Sequence, residues 1–97
     1  MNIQAMMKQA QKLQKEMTNE KNKIDETIYE GKSSIVSAKV KGSKEIVEVK
    51  IDADSLEKED IELLEDMIVV AINEANKKID MDTEEKLGKY TKGMPGF

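Results

Sequence analysis

An α+β fold is predicted, with an N-terminal helix, a three-stranded antiparallel sheet and a long C-terminal helix. Three observations carry it: apolar residues at alternating steps of three and four over residues 2 to 24, a period of two on either side of Gly42-Ser43, and a return to helical spacing from Ile61 onward. The chain of 97 residues is read as one domain over 1–97. Its parts are a helical arm over about 2–24, a sheet over about 26–52, a long helix over about 57–87 and a tail at 88–97.

In the arm, Ile3, Met6, Ala10, Leu13, Met17 and Ile24 form a heptad-like seam expected to pack on a neighbouring helix. Gln4, Gln9, Gln11 and Gln14 with Lys8, Lys12 and Lys15 lie between them, good helix formers on a solvated basic face. Near Ile24 the period changes. Glu26-Thr-Ile-Tyr-Glu30 reads as a short strand, followed by Gly31 and a turn at Lys32-Ser-Ser34. Val36, Ala38 and Val40 then alternate with Ser37, Lys39 and Lys41, Gly42-Ser43 turns, and Val47, Val49 and Ile51 alternate with Ile46, Glu48 and Lys50. The hairpin should bury the six residues Val36, Ala38, Val40, Val47, Val49 and Ile51 beneath a helix.

The covering helix is the long one. Asp54 and Glu57 have the spacing of a cap before it. Along it Ile61, Leu64, Ile68, Ala71, Ile72, Ala75 and Ile79 make one stripe, and Leu63, Met67 and Val70 begin a second. More apolar surface than one partner can cover places the helix either at the centre of a large core or in a dimer seam, and Leu64, Met67, Ile68, Ala71, Ile72 and Ala75 are the expected core and dimer residues. Gly88 is expected to soften the last turn, and Lys86, Lys89 and Lys92 suit the negative end of the helix dipole.

Composition narrows the function. With no His and no Cys there is no disulfide framework, no familiar zinc site and no Ser-His or Cys-His pairing, and the glycines form no phosphate loop. No catalytic residue, no metal ligand and no cofactor is therefore expected. The acidic run Asp52, Asp54, Glu57, Glu59 and Asp60 lacks the spacing of a calcium loop and reads as a solvated helix start. Nothing resembles a signal peptide or a membrane span, so a cytoplasmic protein without membrane contact is expected.

The net charge of −4 is unevenly spread: residues 1–23 carry +3 and residues 51–66 carry −7. All sixteen basic residues are Lys, which suits phosphate rather than bidentate recognition of guanine. The candidate phosphate contacts are Lys8, Lys12 and Lys15 on the arm and Lys39, Lys41 and Lys50 on the hairpin's outer face.

Four stretches belong together: Lys8-Gln-Ala-Gln-Lys-Leu-Gln-Lys-Glu-Met17, Val47-Glu-Val-Lys-Ile-Asp52, Leu64-Glu-Asp-Met-Ile-Val-Val-Ala-Ile-Asn-Glu-Ala75 and Gly93-Met-Pro-Gly-Phe97. With these the chain resembles the YbaB/EbfC family of bacterial nucleoid-associated proteins over essentially its whole length. One departure is the single glycine in Gly31-Lys-Ser-Ser34, where many members carry a Gly-rich turn. The resemblance implies an intertwined homodimer with protruding helical arms, binding of double-stranded DNA in the nucleoid, a role in nucleoid organisation or gene regulation, and no catalytic residues. The contrasting expectation from the acidic net charge is a dimeric protein-interaction module that docks a protein partner through the methionines Met6, Met7 and Met17 of its N-terminal helix.

Overall fold

The computed structural model describes residues 2–91. Helix α1 spans Ile3–Glu26, strands β1, β2 and β3 span Ile28–Ser33, Val36–Lys41 and Ile46–Ile51, and a short 3₁₀ turn at Lys58–Asp60 leads into helix α2, Ile61–Thr91. The strands form one antiparallel sheet in the order β1-β2-β3. This is the α+β arrangement that the alternating periods predict. Among the described residues no helix is long and apolar enough to cross a membrane.

Helix α2 packs over β1 and β2, and the core is the seam between them. Val36, Ala38 and Ala71 are buried with Ile35, Leu64, Met67, Ile68 and Ile72 around them. Val40, Ala75 and Ile79 form a second cluster with Tyr29 against it. Small residues set the helix close to the strands. A Cβ on Gly31 would lie 2.0 Å from the Ala71 carbonyl oxygen and 2.6 Å from the Ala75 nitrogen, so only glycine admits α2 at this crossing.

That contact corrects the reading of the first turn. Strand β1 runs straight through Gly31 to Ser33, and the turn is made at Ser34, whose φ is 52°. The second turn is made at Gly42-Ser43 as expected, with the positive φ of 80° at Lys44 after them, and a Cβ on Gly42 would meet the Ile24 carbonyl oxygen at 1.9 Å. Both glycines are places of close approach.

Four other expectations are corrected. The buried face holds for Val36, Ala38 and Val40, but every residue of β3 is exposed, because α2 lies over the first two strands and leaves the third outboard. The seam of α1 has no neighbour along most of its length: only Ile24 is buried, Met17 is half-buried, and Ile3 and Leu13 are 70% and 43% exposed. The cap before α2 pairs Glu57 with Asp60 rather than Asp54 with Glu57: Glu57 is the N-cap residue of the 3₁₀ turn, and the Asp60 carboxylate accepts its N–H at 3.1 Å. Helix α2 also continues through Gly88 to Thr91, since a glycine in an otherwise good helix costs only about 1 kcal/mol relative to alanine. The rest of the expected tail, 92–97, lies outside the described residues.

The resulting shape is long, at 71 × 21 × 14 Å with a radius of gyration of 19.6 Å. A compact domain of this length would have a radius of about 12 to 13 Å. Ile24 of α1 shares a groove with Ile79, Thr83 and Leu87 of α2, and residues 3–16 of α1 are exposed throughout. At about 1.5 Å per residue, that projecting segment is about 21 Å long.

Candidate nucleic-acid interface

The arm begins at Asn2, whose side-chain oxygen accepts the N–H groups of Gln4 and Ala5 at 3.1 and 3.3 Å, an N-cap that fixes the first turn. Helical spacing then sorts the side chains. At about 100° per residue, Lys8, Lys12 and Lys15 fall within about 60° of one another, on the side opposite the stripe of Ile3, Met6, Ala10 and Leu13. All three lysines are exposed, and none has a carboxylate within ion-pair distance among the described residues. The ridge is continued toward the sheet by Lys23, which pairs with Glu20 at 3.8 Å.

The hairpin lysines are placed differently. Lys39 and Lys41 alternate with the buried Ala38 and Val40, and Lys50 stands opposite Ser37, so all three share the sheet face away from α2. Glu30 and Lys32 of β1 join them through their pairing with Lys39 and Ser37. Charges of both signs interleave on this face. Lys39 pairs with Glu48 at 3.4 Å, Lys41 with Glu26 and Glu45 at 3.8 Å each, and Lys32 with Glu30 at 3.5 Å. Lys50 has no ion-pair partner among the described residues. The structure thus brings Lys39, Lys41 and Lys50 together on a mixed-charge surface and sets Lys8, Lys12 and Lys15 on a separate one where basic charge predominates.

The acidic stretch lies away from that ridge. Ile24 sits near Ile79, and α2 starts at Ile61, about 27 Å back along its own axis at 1.5 Å per residue. The arm extends from the same point by about 30 Å, and the 71 Å long axis requires the two to run in opposite directions. A basic tip and an acidic base therefore occupy opposite ends of the molecule, which concentrates positive potential on the arm.

Of the six expected core and dimer residues, Ala71 and Ala75 are buried against the chain's own sheet, while Leu64, Met67, Ile68 and Ile72 are half-buried beside them. One polar cluster has no signal in the sequence. The Tyr29 hydroxyl of β1 donates to Asp82 Oδ2 of α2, and Lys86 Nζ reaches the same oxygen at 3.0 Å. Burial, and then the hydrogen bond to Asp82 and its negative charge, push the Tyr29 hydroxyl up to about 12. The Tyr29 hydrogen bond, and then Lys86, hold Asp82 below the ordinary carboxylate value. Fifty-three positions separate the two partners, so only the fold brings them together. Among the described residues no three His, Cys, Asp or Glu side chains are grouped to hold a metal ion.

Comparison with known proteins fits this geometry. A nucleoid-associated protein of Enterococcus faecalis is 42% identical over 98 residues, covering 99% of this chain and 94% of that protein. Another from Lactococcus lactis subsp. cremoris is 44% identical over 97 residues, with 98% of each chain covered. The crystal structure of the uncharacterized protein HP0035 from Helicobacter pylori superposes with a TM-score of 0.76 at 26% identity, covering 94% of this chain and 98% of that one. The model of the YbaB/EbfC DNA-binding family matches residues 1–94, and the chain belongs to that family.

Proposed function

We propose that this protein is a non-enzymatic, homodimeric, nucleoid-associated protein of the cytoplasm that binds double-stranded DNA through lysine-phosphate contacts and takes part in nucleoid organisation or gene regulation. The observation that carries the reading is the ridge of Lys8, Lys12 and Lys15, exposed on a projecting helix and without carboxylate partners among the described residues. Lysine is a point charge suited to phosphate, and a smooth row of three offers no fork with which to read bases, so weak or absent sequence preference follows. Lys39 and Lys41 already have carboxylates beside them and are secondary candidates; Lys50 is less encumbered. The names of the family and of the relatives support DNA as the partner.

Two arms presenting three lysines each would neutralise about six phosphates, giving a slope of log affinity against log salt of about −5. Gel shifts on unrelated duplexes across a salt series measure it. A slope near zero, or no shift at low salt, sinks the mechanism. Reversal of Lys8, Lys12 and Lys15 to Glu should abolish binding while leaving the mass of the free protein unchanged.

A second reading draws on the other side of the same helix. Ile3, Met6, Met7 and Leu13 are exposed, as a helix docking on a protein partner would require. Retention of DNA binding after the triple reversal would favour that module.

A further inference from the structure

The lysine ridge of α1 has two unlike flanks. At about 100° per residue, Gln4, Gln11 and Thr18 fall on one side of it, and Gln9, Glu16 and Glu20 on the other. The first flank is made of amides and a hydroxyl; the second holds both carboxylates. Gln4, Gln11 and Thr18 are exposed, and none of their side chains is hydrogen-bonded among the described residues. Thr27 and Thr83 donate their hydroxyls to carbonyls four residues back, at 2.7 Å each, whereas Thr18 does not. A shallow depression lies on this flank, lined by Gln11, Gln14, Thr18 and Asn19 with Lys15 at its border.

Charge selects which flank a duplex meets. An α-helix is about 10 to 12 Å across and the major groove of B-DNA about 12 Å wide, so the exposed segment 3–16 fits within it. With the ridge against the phosphates of one groove wall, either flank can face the bases. The acidic flank would carry Glu16 into the field of both phosphate rows. The amide flank brings no like charge to the floor and turns Glu16 and Glu20 toward solvent. Gln4 and Gln11 are two helical turns apart, about 10.5 Å, so both look onto the same strip of groove.

Resting on the DNA reading above, we infer that the amide flank of α1 enters the major groove and reads adenine, with Gln4 and Gln11 as specificity-determining residues beside the phosphate-binding lysines. The chemistry is that of the primary amide. Its oxygen accepts from adenine N6 and its NH₂ donates to adenine N7, a pair of bonds that an ammonium group cannot make. Guanine presents two acceptors along the same edge and leaves the amide oxygen without a donor. Thr18, and Met7 at the margin of the flank and 56% exposed, have methyl groups to set against the thymine methyl. The lysine row supplies affinity without preference, and the amides give the arm a weak preference with a direction, toward A·T pairs. Two such contacts fall far short of the thousandfold or more, in order of magnitude, that separates a dedicated site reader's specific from its non-specific binding.

The test uses the full chain and three duplexes of equal length. One is alternating A·T, the second is the same sequence with 7-deazaadenine, which keeps the base pairs and phosphates but lacks N7, and the third is alternating G·C. In gel shifts at one salt concentration the protein should bind the first about tenfold more tightly than either of the others. Gln4→Ala combined with Gln11→Ala should lower binding of the A·T duplex to the level of the other two while the salt slope stays at about −5. Alanine is the best helix former, so the circular dichroism of the double variant should match wild type. Gln9→Ala, on the acidic flank, should keep the full preference. Equal binding of all three duplexes by wild type, a preference that survives the double substitution, or one lost as readily in Gln9→Ala would each overturn base reading by this flank and leave the phosphate contacts standing. No binding of any duplex at low salt would remove the DNA reading and this one together.

Discussion

Strands β1 and β3 are the two margins of one sheet and differ in almost everything but hydrogen bonding to β2. Strand β1 has α2 across it, a buried glycine at the crossing, a tyrosine bonded into the helix and a lysine on its free carbonyl. Strand β3 is exposed at all six positions although it is the more apolar of the two. The contrast separates a margin that the chain's own helix covers from one that it leaves exposed. A helix about 10 Å wide covers about two strands spaced about 4.8 Å apart, so α2 alone cannot shield the third.

Substitution at Gly31 should break the covered margin most severely. In Gly31→Ala the new methyl meets the Ala71 oxygen and the Ala75 nitrogen, backbone atoms that can retreat only if α2 moves as a body. The expected loss is about 3 kcal/mol, the upper end for overpacking, measured by urea unfolding. At the bare margin, Val49→Ala should change the unfolding free energy of the separated protomer by less than about 1 kcal/mol, since its side chain is already part-solvated there. Equal losses at the two positions would erase the distinction between the margins.

How much of this was legible depends on what a residue type encodes. Periods of 3.6 and 2 located both helices and all three strands, because apolar spacing reports which face seeks cover. Spacing does not say what provides the cover, so Val47, Val49 and Ile51 read as buried when α2 reaches only as far as β2. Gly31 read as the start of a turn, and Gly42, which does lie in one, gave no sign of its contact with α1, because glycine serves a positive φ and a close approach equally well. Here Ser34 and Lys44 take the positive φ, and the glycines admit α2 and the end of α1. The lysine ridge of the proposed DNA site was visible as i, i+4 and i+7 spacing, since an exposed helix needs no tertiary context to align its side chains. The crowding of Lys39 and Lys41 by carboxylates was not, because it depends on strand register.

The Tyr29–Asp82 bond sharpens the comparison through pH. Tyr29→Phe should cost about 1.5 kcal/mol near neutrality, in the range for a hydrogen bond to a charged acceptor at a half-buried site. The folded tyrosine titrates at about 12 against an ordinary 10.0, so its stabilisation is complete below pH 10 and is lost as pH rises toward 12. Asp82 is depressed, so its share is present above its ordinary 3.8 and is lost as pH falls below that value. The gap between wild type and Tyr29→Phe, followed by unfolding across pH, should be flat from about 4 to 10 and close at both ends. A gap that widens above pH 10 would mean that the hydroxyl does not hold its proton for Asp82.

The smallest effect belongs to Lys78, more than half exposed, which bonds the Glu30 carbonyl at 2.7 Å and pairs with Glu74 at 3.5 Å. Lys78→Met keeps most of the aliphatic stem and removes both contacts, so the loss in unfolding free energy should be about 0.5 to 1 kcal/mol, within the range for an exposed hydrogen bond and helix pair. Its informative consequence is at the margin. A lysine over a strand edge blocks pairing by another strand, and its removal leaves β1 with an open carbonyl while α2 still covers its face. Lys78→Met should therefore add concentration-dependent association through β1 beyond what wild type shows, measured by sedimentation. If the variant associates no more than wild type, the crowding of β1 by α2 is enough to close that edge, and the lysine contributes only its hydrogen bond.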